Sequence, residues 1–214
     1  MSIPPVSAVL QVDGLRFGYP GQAPLFANWS TRVAPGVTLV RGGESSGKTT
    51  LLRLLAGDLG AQAGEIRING ITLGAQPAAY RQQVFWTNPR TDAFDRITVL
   101  DYLASLQPRY PAFEQERVPA LLDGLSLTEH RHKPLYMLST GSKRKVWLTA
   151  AFASGAALTL LDDPFAALDK VSIGLVLQLL EKETAKQGAA RAWMLAAYEA
   201  PGKLPLAGVI DLGG

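Results

Sequence analysis

The run Gly42-Gly43-Glu44-Ser45-Ser46-Gly47-Lys48-Thr49-Thr50 has the residue types and the spacing to hold a chain of phosphates. Glycines let backbone N–H groups curl toward an anion, a helix that starts at the end of the run points its positive end there, and Lys48 adds a compact charge. Thr49 brings a hydroxyl that suits a hard divalent cation. Gly42 to Thr49 satisfies the pattern G-x-x-x-x-G-K-[ST], so the expected ligand is a nucleoside triphosphate, ATP with Mg²⁺. The candidate contacts are Gly42, Gly43, Ser45, Ser46, Gly47, Lys48, Thr49 and Thr50. A glycine turn that merely exposes a lysine is the competing reading, and it leaves the complete motif and its flanks unexplained.

A phosphate loop also needs an acidic residue near the cation, at the end of a neighbouring strand. Leu158 to Leu161 is a short apolar run ending in Asp162-Asp163-Pro164, and Asp162 stands where a buried strand would deliver that carboxylate. Thr49 and Asp162 are therefore the candidate Mg²⁺ ligands. The two histidines, His130 and His132, have no carboxylate or third histidine arranged around them and read as surface residues. The chain has no cysteine, which excludes disulfides, iron–sulfur clusters and cysteine-based zinc sites.

These groups need a strand, a loop and a helix in succession. Thr38 to Val40 reads as a strand entering the glycines, and Leu51, Leu52, Leu54 and Leu55 recur at helical spacing until Gly57 stops them. Val9 to Val12 is another β-type run, with turn signals at Gly18 to Gly21. Gly64 to Leu73 predicts a hairpin turning at Asn69-Gly70, hence an antiparallel part to the sheet. From about Val99 to Ala153 helical patterns dominate, interrupted by Pro108, Pro111, Pro119 and Pro134, as in an inserted helical lobe. The run before Asp162 fits a central parallel strand buried on both faces. Leu175 to Lys186 predicts a helix, Ala192 to Ala197 a strand and Ala207 to Leu212 a last short strand. The fold class is α/β: a P-loop NTPase core with a mostly parallel sheet, an antiparallel β subdomain and an inserted α-helical lobe.

Length and composition agree with one functional unit. At 214 residues the chain suits one well-packed domain, and 47% hydrophobic with 18% charged residues argues for a globular core over disorder. A net charge of +3, with basic residues clustered only at Lys143-Arg144-Lys145, is too weak a stripe for a dedicated nucleic-acid binder. Met1 to Val12 does not resemble a secretory signal. Ala150 to Leu161, the longest weakly polar stretch, is broken by Ser154 and Gly155 and falls short of the ~20 residues a bilayer requires.

In their order these motifs resemble the ATP-binding cassette family, the nucleotide-binding subunits of ABC transporters, over nearly the whole chain. Leu138-Ser139-Thr140-Gly141-Ser142, followed by Lys143-Arg144-Lys145-Val146, is similar to the family signature L-S-G-G-Q and its basic helix. The resemblance implies one ATP-binding domain over 1–214, with 1–87 and 155–214 as core and antiparallel part and about 88–154 as the lobe that carries the signature. It implies head-to-tail pairing, as a homodimer or with a second ABC ATPase subunit, so that Ser139 and Gly141 of one subunit reach the ATP held by the other. A small hydroxyl, a glycine and a helix N-terminus do make an anion site, and a plain N-cap serine is the alternative. Tyr19, in Phe17-Gly18-Tyr19-Pro20, resembles the aromatic on which adenine stacks; a buried or edge-strand tyrosine is the alternative. Phe165-Ala166-Ala167-Leu168-Asp169 resembles the D-loop between paired sites. A membrane-spanning transporter partner and a peripheral position on the inner face of the cell membrane are implied in the same way.

The departures from the family pattern bear on hydrolysis more than on binding. Asp163 stands where the family has the glutamate that orients or deprotonates water, and Tyr198 where it has a histidine beside the γ-phosphate. A carboxylate set back by roughly 1 Å can cost about a hundredfold in rate, and a phenol cannot carry an imidazole's charge near neutrality. Asn88 or Pro89 lies where the family's Q-loop glutamine belongs, Ser45 replaces a glycine and Ser142 the signature glutamine. Asp163 and Tyr198 are thus altered catalytic candidates. The expectation is an ATP hydrolase subunit with weak or partner-dependent turnover; the alternative is a nucleotide-dependent regulatory or binding module that does not hydrolyse. The transported substrate would be chosen by the membrane partner.

Overall fold

Two sheets position these residues in the computed structural model, which describes residues 8–185, 190–199 and 202–213. Strands β1 (Leu10–Phe17), β2 (Phe26–Val33), β4 (Ala63–Ile68) and β5 (Ile71–Thr72) form an antiparallel sheet in the order β2-β1-β4-β5. Strands β3 (Gly36–Arg41), β6 (Val84–Trp86), β7 (Leu158–Asp162), β8 (Ala192–Ala196) and β9 (Gly208–Asp211) form the second sheet, ordered β6-β7-β8-β3-β9. All its pairings are parallel, so the loops after β3, β6, β7 and β8 emerge along one edge, where open α/β sheets bind ligands.

The pleat of β8 shows how the layers form. Ala192, Met194 and Ala196 face a core shared with the antiparallel sheet and α1 (Lys48–Ala56), whereas Trp193 and Leu195 face the helical side. In α1, Leu51, Leu52, Leu54 and Leu55 are fully buried, each worth about 1.5–3 kcal/mol in apolar burial. Gly57, at φ 69, ends the helix by donating its N–H to Arg53 and Leu54 carbonyls. On the other side lie α3 (Val99–Ser105), α4 (Val118–Gly124), α5 (Thr140–Ala153) and α6 (Lys170–Ala185). A partly buried ionic network joins this lobe to the sheet: Arg117 meets Glu183 at 2.9 Å, and Arg191, 4.6 Å over the Trp193 ring, donates to the Ala156 carbonyl at 2.9 Å.

Several elements escape the sequence pattern. β2 buries only Phe26 and Val33 at its two ends, as an edge strand can, so its alternation is faint. The helix α2 (Pro77–Gln83) and the three-residue β6 are short, and α2 is anchored by the buried Tyr80, whose hydroxyl donates to the Leu55 carbonyl at 2.6 Å. α6 begins at Lys170 and not Leu175, because Asp169 Oδ1 accepts the Ser172 N–H at 2.8 Å and caps an earlier turn. Its predicted end at Lys186, and residues 1–7 of the N-terminal reading, lie outside the described residues. The 64–73 hairpin is present as β4 and β5, with Ile68 opposite Ile71. Among the described residues no helix is long and apolar enough to cross a membrane.

Candidate functional site

The phosphate loop leaves β3 and ends at α1. Gly47, at φ 94, is the N-cap of α1 and contributes no side-chain cap, so the first-turn N–H groups face the loop without one. A Cβ at Gly47 would stand 2.8 Å from the Leu25 side chain, and one at Gly42 would stand 2.4 Å from Ser46 Oγ and 2.8 Å from the Gly213 carbonyl. Lys48 Nζ donates to the carbonyls of Gly42 at 2.7 Å and Gly43 at 2.6 Å and so ties the loop into a ring. Ser45 sits at φ 61, a left-handed conformation that the glycine usual in the family adopts more easily.

A cleft of about 510 Å³ opens over this loop, lined by Tyr19, Gln22, Leu25 and the stretch from Ser45 to Thr50. The Tyr19 ring stands edge-on to Phe17 with centroids 5.0 Å apart, and its hydroxyl lies 3.1 Å from Thr50 Oγ1. Tyr19 is thereby fixed beside the phosphate loop with 38% of its surface exposed, where a base can lie against it.

At the cation end, the Thr49 hydroxyl donates to Asp162 Oδ2 at 2.7 Å. The strands that deliver them are not neighbours: β8 lies between β3 and β7, a correction to the adjacent placement expected of Asp162. Burial pushes the Asp162 carboxyl above its ordinary value and the Asp163 charge adds to this, while the Thr49 hydroxyl and the Arg144 and Arg90 guanidiniums pull the other way. A half-buried carboxylate beside a second carboxylate and a hydroxyl is relieved by a hard cation, so the donor set fits Mg²⁺; the glycine cradle and the open α1 terminus fit a phosphate chain.

The two altered catalytic candidates lie on the same edge. Asp163 follows β7 at φ 47, with its N–H donating to the Ala196 carbonyl at 2.8 Å and its side chain exposed. Tyr198, just after β8, is 77% exposed. Among the described residues neither the Asp163 carboxylate nor the Tyr198 hydroxyl has a hydrogen-bond partner. In the loop after β6, Asn88 accepts the Arg90 N–H through Oδ1 at 3.0 Å, and the Arg90 charge acts on Asp162.

The signature run stands apart from this cleft, since neither Ser139 nor Gly141 lines it. Within the single chain Ser139 is the N-cap of α5: its Oγ accepts the Ser142 N–H at 3.1 Å and its hydroxyl donates to Ser142 Oγ at 3.0 Å. Gly141 meets the D-loop segment so closely that a Cβ there would stand 2.4 Å from the Ala167 carbonyl oxygen. Lys145 Nζ pairs with Asp169 Oδ2 at 2.8 Å, one turn further on. Signature and D-loop thus form one unit of the same chain.

Sequence reasoning missed Gly213, whose carbonyl accepts the Gly43 N–H at 3.2 Å, and the Thr50 contact that fixes Tyr19. It also missed the roles of Arg90 and Arg144; Arg144 showed only as the middle of a basic triplet.

Comparison with known proteins agrees with this geometry. The family described as ABC transporter matches residues 26–166. The cytochrome c biogenesis ATP-binding export protein CcmA of Pseudomonas savastanoi pv. phaseolicola is 34% identical over 170 residues, covering 79% of each chain. The cytochrome c biogenesis ATP-binding export protein CcmA 1 of Cupriavidus metallidurans is 32% identical over 186 residues, covering 86% of this chain and 88% of its own. Among solved structures, an ATP-binding subunit of an ABC transporter superposes with a TM-score of 0.79 at 25% identity, covering 88% of this chain and 79% of that one. The chain belongs to the ABC transporter family, as an ATP-binding subunit.

Proposed function

We propose that this chain binds ATP with Mg²⁺, dimerises around it, and powers or gates a membrane-spanning transporter from the inner face of the membrane, with hydrolysis that is weak or depends on a partner subunit. The observation that carries the reading is the 2.7 Å contact between Thr49 Oγ1 and Asp162 Oδ2. It brings a hydroxyl from the first turn of α1 and a carboxylate from the end of β7 to the mouth of a phosphate cradle, where a phosphate-bound cation takes oxygen ligands.

The division of labour follows from the residues. Backbone groups from Gly42 to Gly47, with Lys48 and Thr50, hold the phosphates; Tyr19 takes the base; Thr49 and Asp162 hold the cation. Bound Mg²⁺ supplies neutralisation of the terminal phosphate charge. Asp163 orients or deprotonates the attacking water, and Tyr198 offers one hydrogen bond. The exposed, unheld side chains of both support slow turnover. Ser139 and Gly141 from a second subunit complete the site, because the capped end of α5 keeps a hydroxyl proton that a phosphate can accept.

A second cleft of about 460 Å³, lined by Arg81, Trp86, Asn88, Phe94, Tyr102 and Arg109 among others, suits the membrane partner, since it borders the loop after β6 whose Arg90 charge acts on Asp162. We read the chain as a core of 1–87 and 155–214 with a lobe at about 88–154, and this cleft takes lining residues from both. Several relatives are named as export proteins of cytochrome c biogenesis, and we assign this chain to an export assembly of that type, with the cargo chosen by the membrane subunit.

Three measurements with purified chain test the reading: labelled-ATP binding against a Lys48→Ala control, sedimentation with and without ATP and Mg²⁺, and phosphate release alone and with the membrane partner. Saturable binding lost in the control, ATP-dependent doubling of mass and turnover above the control are expected. Binding and doubling without any turnover would instead establish the second reading, a nucleotide clamp, which the exposure of Asp163 and Tyr198 favours.

A further inference from the structure

α5 carries three consecutive cations. Lys143 pairs with Asp95 at 2.5 Å and Lys145 with Asp169 at 2.8 Å, whereas Arg144 makes no salt bridge among the described residues. Its Nη1 donates to two main-chain carbonyls, those of Asp162 at 3.2 Å and of Asp163. Arg144 lines a niche together with Trp147, Leu161 and Pro164, and its buried Nε has no hydrogen-bond partner among the described residues. A half-buried cation with a buried, unpartnered Nε, spent on backbone carbonyls, carries a desolvation cost that makes sense where that backbone has to be held.

The backbone it holds is the unusual one. Asp163 at φ 47 occupies the left-handed region, uncommon for a residue with a side chain, and persists there only when the surroundings over-determine it. Two grips do so: the Asp163 N–H reaches the Ala196 carbonyl at 2.8 Å, and its carbonyl receives Arg144. The exposed carboxylate has no hydrogen bond of its own among the described residues, so its placement rests on the main chain it hangs from and on the Arg144 charge that acts on it. A short aspartate depends on that aim more than a longer side chain would.

We propose that Arg144 is a positioning residue for Asp163: by gripping the carbonyls at the end of β7 it fixes the main chain that directs the Asp163 carboxylate, and so ties the signature helix α5 to the chain's own water-activating group. This rests on the reading of Asp163 as the group that acts on water. A shift of α5, whose N-terminal residues serve the other subunit's ATP, is then felt at this chain's own carboxylate.

The test uses Arg144→Gln, Arg144→Lys and Asp163→Ala in the full chain, alone and with its partner. By amide hydrogen exchange, the segment around Asp163 should exchange about tenfold faster in Arg144→Gln, with Arg144→Lys restoring most protection and α1 unchanged. ATP binding should stay within about twofold, while kcat falls about tenfold with KM little changed. In the Asp163→Ala background, Arg144→Gln should lower kcat by less than about twofold, because a residue acting through Asp163 has nothing left to position. Unchanged exchange at Asp163, or losses that multiply in the double variant, would overturn the proposal. Absence of turnover in the wild type, with and without partner, would remove the hydrolytic reading and this proposal together; unchanged exchange with normal turnover removes the proposal alone.

Discussion

Two helices of this molecule begin at short runs that contain serine and glycine, and they begin differently. α1 starts from Gly47 at φ 94 with no side-chain cap, inside a ring closed by Lys48. α5 starts from Ser139, which caps itself on Ser142 N–H at 3.1 Å. The first end leaves its N–H groups to a ligand, and the second has used part of its donor set at home. Nucleotide affinity is therefore expected to belong to α1. The α5 end can still contribute, because the Ser139 hydroxyl proton now given to Ser142 Oγ can turn to a phosphate without loss of the cap.

Removing the charge at the open end should have the largest effect. Lys48→Ala should weaken ATP binding by about 2–3 kcal/mol, read by titration with a fluorescent nucleotide, since it deletes a charged donor. If melting temperature falls equally with affinity, the lysine's main task is closing the loop, and the contrast with α5 fails. Next, Gly141→Ala should destabilise by about 1–3 kcal/mol in urea unfolding, because the added Cβ meets the rigid Ala167 carbonyl 2.4 Å away. Gly174→Ala on α6, with open space at its Cβ, is the control and should instead stabilise by about 0.5–1 kcal/mol.

Smaller effects sharpen the same contrast. Ser139→Ala should cost about 1 kcal/mol of stability with Ser139→Asn recovering most of it, as expected of a cap. Ser45→Gly, at φ 61 on the open end, should gain about 0.5 kcal/mol, relief of left-handed strain slightly exceeding the added chain entropy. Behind the closed end, hydrogen bonds from Lys145 and Ser172 hold the Asp169 carboxyl well below its usual range. A depressed carboxylate stabilises the fold above its unfolded value and ceases to as acid is added, so Asp169→Asn should lower the melting temperature at neutral pH, with the gap closing below about pH 4.

The open end was legible and the closed end only partly so. Gly42 to Thr50 is one contiguous run whose strand, turn and helix signals are local, and the structure forms the strand, loop and helix in that order. Ser139 and Gly141 could be matched by pattern, but the glycine's necessity comes from Ala167, more than twenty residues downstream in sequence. Likewise β2 and β6 went unread because an edge strand and a three-residue strand carry little periodicity.

By itself the sequence determined the phosphate cradle, the lysine and hydroxyl within it, the acidic end of a buried strand and the α/β class, because each is written in neighbouring residues. Tertiary structure decided what those pieces meet: Asp162 reaching Thr49 across an intervening strand, Thr50 fixing Tyr19, Gly213 closing on Gly43, and Arg144 gripping the strained Asp163. The physical reason is that these contacts depend on strand order and on close packing between distant segments, and no local periodicity encodes which parallel strand lies beside which.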